Sequence, residues 1–241
     1  MSARRYLEES LRLYRDAYDE WGERVVLGVL ELVASESGDG SEALRLSGQS
    51  EALARQNNDR LWLSDVLTRR AIRVLEAGER RQARELLHQS LRLLDTQRGG
   101  YREGDIHLLL AIVDHLDGDV EHAVSEAEAS LTHFSELGDD WVGQWDSVDV
   151  LAAILATEGE LETGVRVYSA VSRHRETRGE GAPRLLRRVR EQTHGSLERA
   201  LASPDFAATA AEGRRLSLRE AISLALTASH RIAHGAREAA D

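Results

Sequence analysis

The sequence contains no cysteine and no lysine; all 31 of its basic residues are arginine. Without cysteine there are no disulfides, thiol nucleophiles or thiolate metal sites. Without lysine there is no P-loop of the Gly-x-x-x-x-Gly-Lys kind and no Schiff-base chemistry. Proline is scarce, at 2 residues, so little interrupts helices. No apolar run approaches the roughly 18 residues of a membrane span. The opening residues, Met-Ser-Ala-Arg-Arg-Tyr-Leu-Glu-Glu-Ser, hold no signal-peptide stretch, and the expected location is the cytoplasm. Positive charge is also short: the net charge is −11, which argues against a general nucleic-acid binder. One local exception runs from Arg173 to Arg199, with eight Arg against four Glu. It reads as a solvated helix face, with a docking patch for an acidic partner as the alternative.

What is present is a forty-residue step. Gly38, Gly78 and Gly118 keep it, as do Ala3, Ala43, Ala83 and Ala123. Ser10, Ser50, Ser90 and Ser130 keep it, and so do Trp21, Leu61, Tyr101 and Trp141. A fixed period of this size indicates a solenoid, whose units bury their apolar faces only by stacking. With 41% hydrophobic residues, rich in Leu, Ala, Glu and Arg, the chain should fold and should be all-helical.

The unit around Gly78 reads as a helical hairpin. Leu61 to Ala77 carries Leu63, Val66, Leu67, Ala71, Val74 and Leu75 at helical spacing. Gly78 ends that helix, and Gln82 to Asp95 forms the second, with Ala83, Leu86, Leu87, Ser90, Leu91 and Leu94 on one face. The next unit repeats this as Ile106 to Asp117, Gly118-Asp119, then Glu121 to Leu137. Ala83 and Ala123 are expected where the two helices cross closely. A fourth unit slips by one residue, at Gly159, Gly164, Tyr168 and Val171. The first unit is weaker: Val25, Val26, Leu30 and Val33 suit a first helix, but the polar stretch Ser47 to Asn58 predicts a short or exposed second one. Ala3, Leu7 and Ser10 match second-helix columns. The array therefore either opens on an atypical cap or is the tail of a longer solenoid, and the second is the expectation. Ser203-Pro204 reads as a helix start, and Ser217 with Glu220 as a capping box. Leu218, Ile222, Leu224, Leu226 and Ile232 are then expected to cover the open end of the stack.

The small, large, small order after Gly-Asp resembles the tetratricopeptide repeat, lengthened from its usual ~34 residues. Ala127 to Trp141 resembles the long repeats at the C-terminus of MalT-like, AfsR-like and LuxR-type bacterial STAND ATPase regulators. Ala182 to Leu201 and Ser203 to Leu226 are similar to the closing segments of those arrays, with Ala210 standing where a Trp is frequent. The resemblance implies an all-α, right-handed solenoid of hairpins over 1–182 and capping helices over 183–241. It also implies a sensor or protein-contact role in signalling or transcriptional control. The ATPase and DNA-reading roles of such regulators do not carry over, since their motifs are absent.

Enzyme and metal chemistry find little support. His230 and His234 lack the Glu and the third ligand of a metal helix. His107, His115 and His122, with Asp114, Asp117 and Asp119, suit turns and caps better than coordination. No metal or cofactor is expected. The expected function is non-enzymatic recognition of a protein or peptide, such as a P-loop ATPase or a DNA-binding regulator. A small-molecule effector sensor and a fragment of a larger STAND ATPase are the alternatives. First helices line the concave face of such solenoids, which makes Asp65, Arg69, Arg73, Asp105, His107, Trp145 and Asp149 the candidate groove residues. Arg69 and Arg73, one turn apart, would hold an acidic group such as a peptide carboxylate. Trp145, one turn from Trp141, suits the core better than the groove.

Overall fold

Helix-forming residues broken at regular turns produce helices of similar length through most of the chain. A computed structural model describes residues 3–94, 100–138, 141–201 and 203–240, with residue 203 and residues 236–240 described by backbone alone. Among the described residues there are twelve α-helices and no strand. They are α1 (Ala3–Asp16), α2 (Glu20–Glu36), α3 (Gly40–Gln56), α4 (Arg60–Glu76), α5 (Arg80–Leu93) and α6 (Tyr101–Asp117). They continue as α7 (Val120–Ser135), α8 (Val142–Thr157), α9 (Leu161–Arg178), α10 (Arg184–Ala200), α11 (Ser203–Gly213) and α12 (Leu218–Ala240). Asp95, expected at a helix end, lies outside the described residues.

A two-residue device makes most of the turns. Its first residue is in the left-handed region, with φ between 50° and 89°, at Tyr18, Gly38, Asn58, Gly78, Gly118 and Gly159. The second is an acid: Asp19, Asp39, Asp59, Glu79, Asp119 or Glu160. The backbone N–H of that acid closes the helix before it: Asp39 to the Ala34 carbonyl, Asp59 to Ala54 and Asp119 to Asp114, each at 2.9 Å. The aspartate carboxylates then open the next helix. They accept from the N–H of Gly22 and Trp62 at 2.9 Å and of Glu42 and His122 at 3.2 Å. Glu79 and Glu160, one methylene longer, make no such cap bond.

The helices pack as hairpins α2/α3, α4/α5, α6/α7 and α8/α9, and each hairpin packs on the next. Contacts of α4 with α6, α6 with α8, and α8 with α10 make an inner row. The molecule is an all-α solenoid. Ala43, Ala83 and Ala123 are fully buried. The serine column has a physical use. Ser90 Oγ donates to the Ser64 carbonyl and Ser130 Oγ to the Gly104 carbonyl, both at 2.8 Å and both across a hairpin. Ser50 Oγ, in the first full hairpin, is buried without a partner among the described residues.

One expectation needs correction. The stretch from Ser47 belongs to the 17-residue α3, which is neither short nor fully exposed and buries Ala43, Leu46, Ser47, Ser50 and Ala54. Its polarity misleads because its buried face is built of small side chains. At the C-terminal end α11 packs on α9, and α12 packs on the last hairpin, α8 and α9, and reaches α7. It buries Ala221, Ala225, Ala228 and Ser229, with Leu218, Ile222, Leu224, Leu226 and Ile232 only partly buried beside them. The cause lies in α8, which is buried at every position from Gly143 to Leu155 and so needs cover on all sides. α10 meanwhile extends the inner row. Leu186 and Val189 of α10 and Ala225 and Ala228 of α12 share one core with α4 to α9, so residues 183–241 have no separate core.

Candidate functional site

The inner row frames a groove of about 500 Å³. Helices α2, α4, α6, α8 and α10 all contribute to its lining. Its floor is apolar, from Ile72, Leu108, Leu109, Ile112, Leu185 and Leu186, and charged side chains stand around it. That combination, an apolar seat with a few fixed polar groups, is how binding sites are built.

Of the seven residues expected here, Asp65, Arg69, Arg73 and Asp105 line the groove. His107, Trp145 and Asp149 are not among its lining residues. His107 Nδ1 meets Glu126 Oε2 at 2.6 Å, and its ring stacks on His133 with centroids 5.4 Å apart, which places it between α6 and α7. Trp145 is 1% exposed, in the core, edge-on to His174 at 4.7 Å. Asp149 is equally buried and ion-paired with Arg175 and Arg190. Helical spacing could not separate inward from sideways directions, because α6 and α8 are covered on several faces.

The expected role of Arg69 and Arg73 also changes. Both hold Glu31 of α2, Arg69 Nε at 3.1 Å and Arg73 through a short bond, while Arg73 Nη2 donates to Ser47 Oγ at 2.8 Å. An acidic group does sit there, but it belongs to this chain. The Glu31 side chain is 1% exposed, so removing its cations would leave a buried carboxylate unpaired.

The other cations in the lining are similarly committed. Arg102 donates two bonds to Asp65, at 2.6 and 3.1 Å, and lies over the Tyr101 ring at 4.8 Å. Arg184 pairs with Glu76 at 3.6 Å. Asp146 is held by Arg175. Asp105 has no hydrogen bond or ion pair among the described residues. Burial pushes its carboxyl up to about 7, and Asp146 and Asp65 push the same way against Arg102.

Behind the groove, Arg175, Arg190, Asp146 and Asp149 form a buried network. Burial raises Asp149 to about 6 while Arg190 and Arg175 pull it back. The arginine-rich stretch from Arg173 is thus partly internal, with Arg175 and Arg190 acting as struts. Arg188 and Arg199 line a separate cleft of about 700 Å³ with His115, Thr157 and Gln192. Burial lowers the His115 pKa. His230 meets Glu128 at 3.0 Å, and no group of three or more metal-binding side chains occurs among the described residues. No helix there is long and apolar enough to cross a membrane.

Glu31, Arg102, Glu76, Asp146, Arg175, Arg190 and the Leu185-Leu186 pair escaped sequence reasoning. A signal for the ion pairs exists. Glu31–Arg69, Glu31–Arg73, Asp65–Arg102 and Asp149–Arg190 are separated by 38, 42, 37 and 41 residues. Opposite charges about one repeat apart fall on adjacent inner helices. No family model matches the chain, and no curated protein matches it significantly.

Proposed function

We propose that this chain is a non-enzymatic interaction scaffold that docks a segment of a partner protein in its inner groove. One observation carries the reading: an apolar floor spanning several helices, framed by arginines that are already paired within the chain. Such a surface is preorganised, so a ligand does not have to order these side chains on binding. Affinity would come from a few buried anchors rather than from area. The resemblance of the repeats and closing segments to tetratricopeptide-like arrays of STAND regulators supports a cytoplasmic setting in bacterial signalling or transcriptional control. A P-loop ATPase or a DNA-binding regulator is the kind of partner that setting supplies.

The test uses the intact chain as bait. Leu32 and Tyr101 line the groove and are exposed. Proteins captured from lysate by the parent chain and by an Arg81→Glu control should be depleted about tenfold on a Leu32→Asp, Tyr101→Asp double variant, a loss of about 1.4 kcal/mol. The variant should keep its circular dichroism and melting temperature. Equal capture by the double variant would remove the groove from the reading. Arg69→Glu with Arg73→Glu is a poorer probe, because it strands Glu31 and threatens the fold.

A further inference from the structure

The groove carries an excess of negative charge, left among the described residues on two carboxylates without an ion pair, the exposed Glu36 and the half-buried Asp105. Six carboxylates and four guanidiniums line it. Glu31 takes Arg69 and Arg73, Asp65 takes Arg102, and Glu76 takes Arg184. Asp146 has Arg175 behind it. Asp105 faces the acids Asp65 of α4 and Asp146 of α8, with Arg102 of its own helix already spent on Asp65. Glu31 and Glu36 of α2, Arg69, Arg73 and Glu76 of α4 and Arg184 of α10 complete the charged lining. Apolar side chains lie close by in the lining, among them Ile72, Leu109 and Ile112. From Leu32 the same face of α2 continues outward as Val29, Val25 and Trp21, all exposed.

We propose that the groove recognises a partner segment through an arginine or lysine side chain seated against Asp105, with apolar neighbours of that residue on the floor and along α2. This rests on the docking reading above. A carboxylate with no partner in a partly dry groove is destabilised, and an incoming cation supplies what the fold withholds. An acidic segment meets the opposite situation. No arginine in the lining is free to receive it, and taking Arg69 or Arg73 would leave Glu31 buried without a cation. The net charge of −11 draws basic partners at long range in the same sense.

The experiment probes the intact chain on an immobilised array of random, histidine-free dodecapeptides. Peptides retained by the parent chain should be enriched in Arg and Lys and depleted in Asp and Glu. Asp105→Asn should abolish that preference while remaining folded. A second reading needs no variant: affinity for a retained basic peptide should rise about tenfold from about pH 6 to about pH 8, as Asp105 gives up its proton. Retained peptides with no basic preference, a preference that survives Asp105→Asn, or a flat pH profile would each overturn the inference and leave the docking reading standing. Retention of no peptide at all would overturn both.

Discussion

At Asp105 the demands of binding and of stability oppose each other. Its folded pKa, about 7, lies above the ordinary 3.8. Between those values the folded chain holds a proton that the unfolded chain has lost. The slope of stability against pH is then negative, and stability falls as pH rises from about 4 to about 7. Asp105→Asn removes this penalty. We expect the variant to match the parent near pH 4 and to exceed it near pH 8 by about 4 kcal/mol, read as melting temperature across pH. A gap that stays constant with pH would contradict the assignment. The exchange of basic-peptide binding for stability at one side chain is the usual compromise of a functional group. Asp105 was legible in the sequence as a groove candidate. Its lack of a partner was not, because that depends on Asp65 and Arg102 finding each other first.

At the scale of elements, the turns and the close helix approaches do the specifying. Each Gly-Asp or Asn-Asp turn ends one helix and starts the next with the same aspartate. Gly38 and Gly118 announced this; Gly78, on the same forty-residue step, ends its helix alike but is followed by Glu79, which makes no cap bond. Tyr18 and Asn58 adopt the same left-handed backbone at the half step without being glycine, so the finer recurrence was hidden. Other glycines serve contact rather than turn. A Cβ on Gly213 would stand 2.4 Å from the Arg166 carbonyl oxygen, where α11 meets α9. Gly48, exposed inside α3, has nothing within 4 Å of such a Cβ. Gly213→Ala should therefore cost about 2 kcal/mol through forced backbone movement. Gly48→Ala should add about 1 kcal/mol through helix propensity. Chemical denaturation of the two variants checks the opposite signs; equal effects would mean that α11 has room to move.

Across the whole molecule, order is unevenly supported. Leu11, Val26, Leu27, Leu30, Ala34, Ala43 and Leu46 form a small cluster within α1 to α3. Leu53 packs against both this cluster and the large core. Polar struts help hold the junction: Arg24 to Asp59 at 2.5 Å, Asn57 to Glu20 at 2.9 Å, and Glu31 to Arg69 and Arg73. At the other end α8 is covered by α6, α7, α9, α10 and α12. A stack of neighbour contacts opens from its less supported parts. Native-state hydrogen exchange should show α1 to α3 opening as a unit at lower free energy than α8, whose amides should exchange only with global unfolding. Uniform protection along the chain would contradict this.

The sequence alone determined that the chain is all-helical, that its helices pair as hairpins, and that its turns fall at Gly38, Gly78 and Gly118. It also determined the Ser217–Glu220 capping box, seen as Ser217 N–H to Glu220 at 2.7 Å and Glu220 N–H to Ser217 Oγ at 3.3 Å. These features are local: each depends on residues within a few positions of one another, where propensity, periodicity and left-handed turns act. Only the tertiary structure decided which charges in the groove are already paired, that Asp149 belongs to the interior, and that α12 lies across α7 to α9. Those outcomes depend on side chains far apart in the chain, which meet only after the helices have stacked and buried them together.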